Sequence, residues 1–458
     1  MNFYKSKEGF RNIRFYSITT FLFVIISAFF LLIPDETRIY SSTDPLDYIN
    51  SAESLIFCKS FAYKEIDCLP KTWNTPGYPI FIAAHMLLFK NYIFYLIISQ
   101  NILLIITAYF SKKIFDKYKS EYSKWVFALV LFNPNSFSTA QLIQTETLFT
   151  FLLVSSLYTL YYAISRRSYF FLGILFAACA YVRPAFYYFC ILSPIIFYLY
   201  LRYLSDLDIR KCLMNASLGG AICLVLVSLW TLRNNNNFSA PVFVSNTGFM
   251  VWINLEEMYK LNNKSNDINS KYNAIMNEIE NLEGYKYGGR QTPLSSKILL
   301  ETSKKEFDVS LRAFLTAGFK SIINLFFSGG GANFERLTKG KDDNYIEKNN
   351  VYYNFNFSDN KWKEIKNLLT LYSLPIIFSI FIKALSLLGL LILIFSKNYK
   401  LLCITLLPII YLSPLYGFFG QSRFRVPMEP NFTILSMAGI LGIYFFLKGR
   451  LKENRGAG

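Results

Sequence analysis

Charge is scarce in this sequence: Asp, Glu, Lys and Arg make up 17% of the 458 residues, whereas 53% are apolar. That balance excludes a soluble multidomain protein. Apolar runs near the ~20 residues needed to cross a bilayer recur along the chain, and hydropathy predicts about ten spans. Nothing like a small-residue cleavage site follows the first apolar run, so we interpret it as a retained span.

Repeats, inverted symmetry and histidine are also missing or nearly so. No segment of roughly 20–50 residues recurs, and the two halves of the chain show no inverted relationship. The one histidine, His85, lies in a short apolar stretch without a partner in sequence, and we interpret it as structural. Of the seven cysteines, Cys58 and Cys68 share one polar loop. Either a disulfide or two free thiols is compatible with that spacing.

The net charge of +17 comes mostly from six short basic segments. Together these 58 residues hold 20 Lys or Arg, whereas the loop 34–91, also 58 residues long, holds five. Because cytoplasmic loops are enriched in Lys and Arg, we place the six segments in the cytoplasm and the loop outside. The charge therefore reflects membrane topology, and no nucleic-acid partner is expected. The segments are 1–14, 111–124, 165–168, 202–211, 396–400 and 448–458.

These features predict an all-α polytopic membrane protein with both termini in the cytoplasm. Residues 1–232 form an N-terminal transmembrane module that includes the outer loop 34–91, and residues 371–458 supply the C-terminal spans. Between them, residues 233–370 are polar and rich in Asn and Lys. That length is sufficient for a soluble outer domain of mixed structure with a core of its own.

The outer loop 34–91 carries a pattern that is not needed merely to join two spans. Four of its residues fall at helical spacing and predict a helix over 44–57 that begins with a carboxylate. A Pro-Gly-Tyr-Pro turn then leads into a second helix, over 78–89, which is apolar enough to lie against the membrane surface. The four residues are Asp44, Tyr48, Ala52 and Leu55, and the turn is Thr75-Pro76-Gly77-Tyr78-Pro79.

Polar residues near the membrane collect on the predicted outer face. Asp44 and Glu146 lie in different loops there but close to the bilayer edge. Two converging carboxylates can hold a divalent cation such as Mg²⁺, Mn²⁺ or Zn²⁺, or one of them can act as a general base. Guanidinium and ammonium groups supply what a phosphate needs. The candidates are Arg183, Lys383, Arg423 and Arg425. Together they suggest group transfer from a lipid phosphate, without an organic cofactor.

Five pieces in order resemble the GT-C glycosyltransferases, in particular the branch of protein O-mannosyltransferases and lipid A aminoarabinose transferases. The likeness covers nearly the whole membrane part and is weak across 256–370. The pieces are the outer-loop pattern above; Asn133-Pro134 with Thr145-Glu146-Thr147-Leu148-Phe149; Val182-Arg183-Pro184; Trp230, Arg233-Asn234 and Asn246-Thr247-Gly248; and Arg423-Phe424-Arg425-Val426-Pro427-Met428-Glu429-Pro430.

The resemblance implies a transferase that moves a sugar from a polyprenyl-phosphate donor at the outer face of a bacterial-type inner membrane. The acceptor would be a glycolipid, a polysaccharide or a protein. The family's catalytic aspartate falls on Asp44 as general base, and its second carboxylate falls on Glu146 as metal ligand or acceptor support. Further substrate contacts are expected from Tyr48, Trp73, Tyr78, Arg233 and Glu429.

Several alternatives stay open on the sequence. Asp35, in Asp35-Glu36-Thr37-Arg38, also resembles the family's acidic residues and could be the base instead. Asp44 could be only a helix N-cap, Glu146 only a cap of its own helix, and Asp47 a solvated first-turn acid. The competing functions are a transporter or flippase of lipid-linked sugars and a polymerase or ligase of surface polysaccharide. A transporter would place charge at the bilayer midplane.

Overall fold

The computed structural model describes residues 2–64, 67–163, 165–205, 207–261, 265–283, 292–330, 333–334, 336–337, 373–416 and 420–456. Within these residues the chain is almost wholly α-helical, and its one sheet is a two-stranded antiparallel ribbon. The predicted class, an all-α polytopic membrane protein, is confirmed.

The membrane part is built from long helices joined by short turns. In the N-terminal half they are α1 (Asn2–Leu31), α5 (Tyr92–Lys119), α6 (Ser123–Leu131), α7 (Pro134–Ala140), α8 (Glu146–Tyr162), α9 (Arg166–Val182), α10 (Tyr187–Leu204) and α11 (Ile209–Phe238). In the C-terminal part they are α16 (Ser373–Phe395), α17 (Tyr399–Leu415), the single turn α18 (Ser422–Arg425) and α19 (Glu429–Gly456).

Six helical stretches of the described chain are long and apolar enough to cross a membrane, so the predicted count of about ten is too high. The predicted third span is not one continuous helix. The Asn133 side chain accepts hydrogen bonds from the backbone N–H groups of Asn135 and Ser136, and α7 begins there as a new helix. The predicted fourth, fifth and ninth spans are the helices α8, α9 and α17, each 17 residues long. The six are Asn12–Leu31, Tyr92–Leu131, Pro184–Leu204, Ile209–Phe238, Leu374–Phe395 and Ser422–Lys448.

The outer loop folds as expected into short helices. These are α2 (Asp35–Ile39), α3 (Thr43–Phe57) and α4 (Gly77–Leu88), with the ribbon strands β1 (Ala62–Tyr63) and β2 (Leu69–Pro70) between α3 and α4. A disulfide joins Cys58 to Cys68, with 5.7 Å between their Cα atoms, and closes the ribbon. On α4, the two ring nitrogens of His85 bond the Phe81 carbonyl and the Ser99 hydroxyl, each at 2.8 Å, which agrees with a structural role.

The segment 233–370 contributes helices only, as far as it is described. They are α12 (Thr247–Leu261), α13 (Ser265–Glu283), α14 (Pro293–Lys305) and α15 (Leu311–Phe327). Trp252 and Leu255 pack with Ile279 and Leu299 in a small apolar core that is separate from the main one. In its described part the segment thus has a small apolar core and no strands, and the predicted domain boundaries stay a prediction; residues 338–372 lie outside the described chain.

The last two long helices, α16 and α19, are in backbone contact. A Cβ atom on Gly389 would lie 1.8 Å from the Leu435 carbonyl oxygen, and one on Gly439 would lie 2.2 Å from the Leu385 carbonyl oxygen. Small residues allow helices to approach this closely in a membrane. Because α18 and α19 carry Arg423, Arg425 and Glu429, this contact fixes where those side chains stand.

Candidate active site

Asp44 lies in the first turn of α3, where the helix dipole stabilises a carboxylate. The helix begins one residue before Asp44 and its N-cap is Ser42, so Asp44 is not the N-cap. Its Oδ2 instead accepts from Arg423 Nη2 at 2.7 Å. Asp44 and Arg423 are 379 positions apart in sequence, so this contact is made by the tertiary fold alone.

Glu146 begins α8 and is almost completely buried. Its Oε1 lies 3.4 Å from Arg423 Nε and 3.4 Å from Arg183 Nη1. The guanidinium of Arg423 therefore stands between the two carboxylates. Four charged groups from four parts of the chain alternate in sign: Asp44, Arg423, Glu146 and Arg183. The convergence of Asp44 and Glu146 expected from the sequence occurs, with a cation between them.

The ion pairs of Glu146 with Arg183 and Arg423 lack hydrogen bonds, although the Glu146 side chain is buried. Glu146 Oε1, Arg183 Nη1 and Arg423 Nε are buried and make no hydrogen bond with the described chain. Buried polar atoms nearly always have hydrogen-bond partners, and exceptions often mark functional sites. Arg183 is held instead by aromatic rings, with its guanidinium carbon 5.4–5.8 Å from the ring centres of Phe149, Tyr416 and Phe424.

The electrostatics keep Asp44 ionised and the neighbouring phenol neutral. Burial raises the pKa of Asp44, but Arg423 outweighs it, so that the pKa falls below the ordinary 3.8. Burial raises the pKa of Tyr48 well above 10, helped by the negative charge of Asp44 and Glu146. Tyr48 packs edge-on against Tyr78, with 5.2 Å between ring centres, and Tyr78 donates to Gln100 Oε1 at 2.9 Å. Asp44, rather than a tyrosine, can therefore accept a proton here.

Three of these charged groups, Asp44, Arg183 and Arg423, line a cavity of about 960 Å³, whereas Glu146 does not. Most of the remaining wall is apolar and aromatic. It comes from the N-terminus of α10, from the end of α11 and the chain after it, and from α12 and α14. Those residues include Tyr187, Tyr188, Phe238, Phe243, Phe249, Met250, Ile253, Leu294 and Leu300.

The cavity distinguishes between the two aspartates that the sequence left as alternatives for the general base. Asp44 lines it, and Asp35 does not. Asp35 Oδ1 lies 3.5 Å from Arg38 Nη1, and Arg38 is itself bonded to the carbonyls of Gln141, Ile33 and Phe30. Arg38 is buried, and that burial lowers its pKa. The Asp35–Arg38 pair thus belongs to the anchorage of the outer loop.

Three of the expected substrate contacts form a second cluster outside the cavity wall. Lys383 Nζ lies 2.7 Å from Glu429 Oε2, and Arg425 Nε bonds Glu429 Oε1. Arg425 also donates to the Leu325 carbonyl and, at 2.7 Å, to that of Ser328. All three charged side chains are buried. The sequence did not separate Arg423 from Arg425, but residues two apart on a helical turn point to nearly opposite sides.

Arg233 likewise serves the outer loop rather than the cavity wall. It donates to the carbonyls of Lys71 at 2.7 Å and Phe61 at 2.5 Å, and its guanidinium lies 4.9 Å from the Trp230 ring centre. The predicted donor or acceptor role of Arg233, like those of Lys383, Arg425 and Glu429, stays a prediction without support from the geometry.

A divalent cation does not fit the donors present. The described chain contains no group of three or more His, Cys, Asp or Glu side chains that could hold one. Arg423 occupies the place between Asp44 and Glu146 that a bridging cation would need. The predicted metal dependence stays an untested prediction.

Sequence reasoning assigned no substrate contact to several polar residues in the cavity wall, among them Asp47 and Asn74. Asp47 was interpreted as a solvated acid, but it is paired with Lys71 and accepts from Asn74. The pattern contained a hint, because Asp47 follows Asp44 by three residues on a helix and must share its face.

No protein-family model and no curated protein matches the chain. Among solved structures, the oligosaccharyltransferase of Archaeoglobus fulgidus in its apo form is similar, with a TM-score of 0.51 and 14% identity over 98% of this chain and 52% of that one. This chain therefore shares the fold of that enzyme, as expected from its resemblance to the GT-C glycosyltransferases. Archaeal oligosaccharyltransferase AglB from A. fulgidus, in complex with an inhibitory peptide and a dolichol-phosphate, gives a TM-score of 0.48 at 14% identity over 95% of this chain and 51% of that one. This chain thus spans about half the length of the structures that it resembles.

Proposed function

We propose that the chain is a glycosyltransferase that moves a sugar from a polyprenyl-phosphate donor to an acceptor hydroxyl or amide. The observation that carries the proposal is the position of Asp44 in the wall of a large cavity, paired at 2.7 Å with the guanidinium of Arg423 and with Arg183 in the same wall. A base and two phosphate-binding cations at one point are what transfer from a lipid phosphate requires.

In the proposed reaction the donor phosphate binds Arg423 and Arg183. The acceptor atom attacks the anomeric carbon while the bond from that carbon to the phosphate oxygen breaks. The electron pair of that bond leaves on the phosphate, whose new negative charge the two guanidinium groups stabilise. Asp44 takes the acceptor's proton. Attack from the face opposite the phosphate inverts the anomeric carbon.

Glu146 is a positioning residue in this scheme. It does not line the cavity and contacts both Arg423 and Arg183 at 3.4 Å. Its charge holds the two cations together against their mutual repulsion. When a phosphate arrives, Arg423 can exchange its bond to Asp44 for one to the phosphate, which frees the carboxylate to act as base.

The fold supports a glycosyltransferase because a known oligosaccharyltransferase is built on it, and the apolar remainder of the cavity suits a lipid-linked substrate. The proposed place of the reaction is the outer face of a bacterial inner membrane. The acceptor would be a glycolipid, a polysaccharide or a protein, which the helices α12 to α14 would help to select.

The test is transfer of labelled sugar from polyprenyl-phosphate donors to a membrane extract. The chain is compared with Asp44→Asn and with Asp35→Asn, a matched control outside the cavity. We expect Asp44→Asn to lose transfer while it still folds and Asp35→Asn to retain it. Equal activity of all three proteins would remove Asp44 from the chemistry. Failure of the unaltered chain with every donor would refute the proposal.

A further inference from the structure

A second set of polar and aromatic side chains lines the cavity beside Asp44. From it we propose that Asp47, Asn74 and Trp73 form the subsite that binds the hydroxyl groups of the transferred sugar. This inference rests on the proposed function and deepens it, because it assigns the part of the donor beyond the phosphate.

The position of Asp47 relative to the reacting groups supports this assignment. It follows Asp44 by three residues on α3, so the two side chains share a face, with their Cβ atoms about 5–6 Å apart. The anomeric carbon must lie next to Asp44 and to the phosphate held by Arg423. The rest of that sugar ring then extends over a distance of the same scale, to where Asp47 lines the cavity.

The carboxylate of Asp47 is held in a fixed orientation. One oxygen pairs with Lys71 Nζ, which also donates to the Ser51 hydroxyl at 2.8 Å, and the other accepts from Asn74 Nδ2 at 2.5 Å. Each carboxylate oxygen can accept a second hydrogen bond, and the Asp47 side chain is 33% exposed. The group is therefore oriented by the protein and still accessible to a donor in the cavity.

Asn74 adds an acceptor that the described chain leaves unused. Its Oδ1 is buried and has no hydrogen-bond partner there, although the residue lines the cavity. A buried acceptor without a partner is costly, and a ligand hydroxyl is a donor that would supply one. Asp47 and Asn74 together thus present acceptors and suit a ligand rich in O–H groups.

Trp73 supplies an apolar surface next to these acceptors. Its ring is fixed against Phe249 of α12, with 5.3 Å between ring centres, and it lines the same cavity. Because a sugar has apolar C–H faces as well as hydroxyl groups, an aromatic ring beside oriented acceptors matches both kinds of surface. The charge of Asp47 is already balanced by Lys71, so the subsite favours a neutral sugar over a cationic one.

The test compares binding of bare undecaprenyl phosphate with binding of undecaprenyl phosphate that carries glucose, galactose, mannose or N-acetylglucosamine. Binding is measured in detergent by titration calorimetry. In the unaltered chain at least one sugar should tighten binding relative to the bare lipid. Asp47→Asn should reduce that gain about tenfold, since a charged acceptor is lost, and leave the affinity for the bare lipid unchanged.

If Asp47→Asn unfolds the loop by leaving Lys71 buried without its partner, Asn74→Ala and Trp73→Ala still test the subsite. Each should reduce the sugar-dependent gain several-fold and leave the bare lipid bound. The matched control is Glu53→Gln, because Glu53 also lies on α3 and pairs with a lysine, Lys64, at 2.9 Å, but does not line the cavity. It should change neither affinity.

The two proposals fail in different ways. If the unaltered chain does not bind bare undecaprenyl phosphate, the proposed function fails and this subsite falls with it. If the bare lipid binds but no sugar tightens binding, or if the variants that fold weaken bare and sugar-bearing lipid equally, only the sugar subsite is refuted.

Discussion

Replacing Arg423 by glutamine tests the charge arrangement of the site most directly. Arg423 donates to Asp44 at 2.7 Å, stands 3.4 Å from Glu146, and is expected to hold the donor phosphate. Glutamine removes the charge at similar length and keeps an amide N–H. Among the described residues, the substitution leaves Arg183 and Lys297 as the cations that line the cavity.

Two effects of different size should follow. The first effect is a loss of folding stability, because the charge-assisted hydrogen bond from Arg423 to Asp44 disappears. Such a bond is worth about 1.5–3 kcal/mol. We reduce this to about 1–2 kcal/mol because the Asp44 side chain is 36% exposed. Loss of one donor to a developing negative charge typically costs ~10²- to 10³-fold in rate, or about 2.7–4 kcal/mol. We therefore expect kcat/KM for the lipid donor to fall by that larger factor.

The pH profile distinguishes loss of the bond between Arg423 and Asp44 from loss of the contact between Arg423 and the phosphate. Asp44 acts as a base only when ionised, so activity is full well above its pKa and falls as the pH drops through it. With Arg423 present the pKa lies below 3.8, and no acid limb from this group should appear between pH 5 and 9. Without Arg423 the effect of burial is opposed less, the pKa rises, and the acid limb should move upward.

The assay is the pH dependence of sugar transfer for the unaltered chain, Arg423→Gln, Arg423→Lys and the control Arg166→Gln, which changes an exposed arginine elsewhere. Arg423→Lys should recover part of the rate because it restores a point charge. Unchanged kcat/KM in Arg423→Gln, or an acid limb that stays where it was, would refute the proposed role of Arg423.

Three further predictions concern stability and are measured as thermal unfolding in detergent. Lys383→Met should destabilise the protein by about 3–5 kcal/mol, because Glu429 loses one partner of a buried pair; an unchanged melting temperature would contradict this. Replacing both Cys58 and Cys68 by serine should cost about 2–3 kcal/mol from loop-closure entropy, and a reductant should reproduce the loss in the unaltered chain but not in the variant. Gly389→Val should prevent α16 and α19 from packing, whereas an exposed residue of α16, such as Leu387, should tolerate valine.

Local sequence patterns were sufficient to predict most helices of the membrane part and of the outer loop. The helices predicted over 44–57 and 78–89 are found at Thr43–Phe57 and Gly77–Leu88, because helical spacing and the Pro-Gly-Tyr-Pro turn act within a few residues. The span count was too high because Asn133-Pro134 divides the predicted third span into two helices, and because three other predicted spans are helices of only 17 residues.

The sequence by itself determined that the chain is helical and membrane-spanning and that charged residues collect near the ends of its spans. Composition and periodicity are enough for this, since burial of apolar runs is a property of each segment. Only the tertiary structure decided which charges meet. Arg423 and Arg425 are two residues apart, yet one reaches Asp44 in the cavity while the other joins Glu429 beneath it. That choice depends on how the turn before α19 is oriented against α3, a contact between segments 379 positions apart that local sequence does not encode.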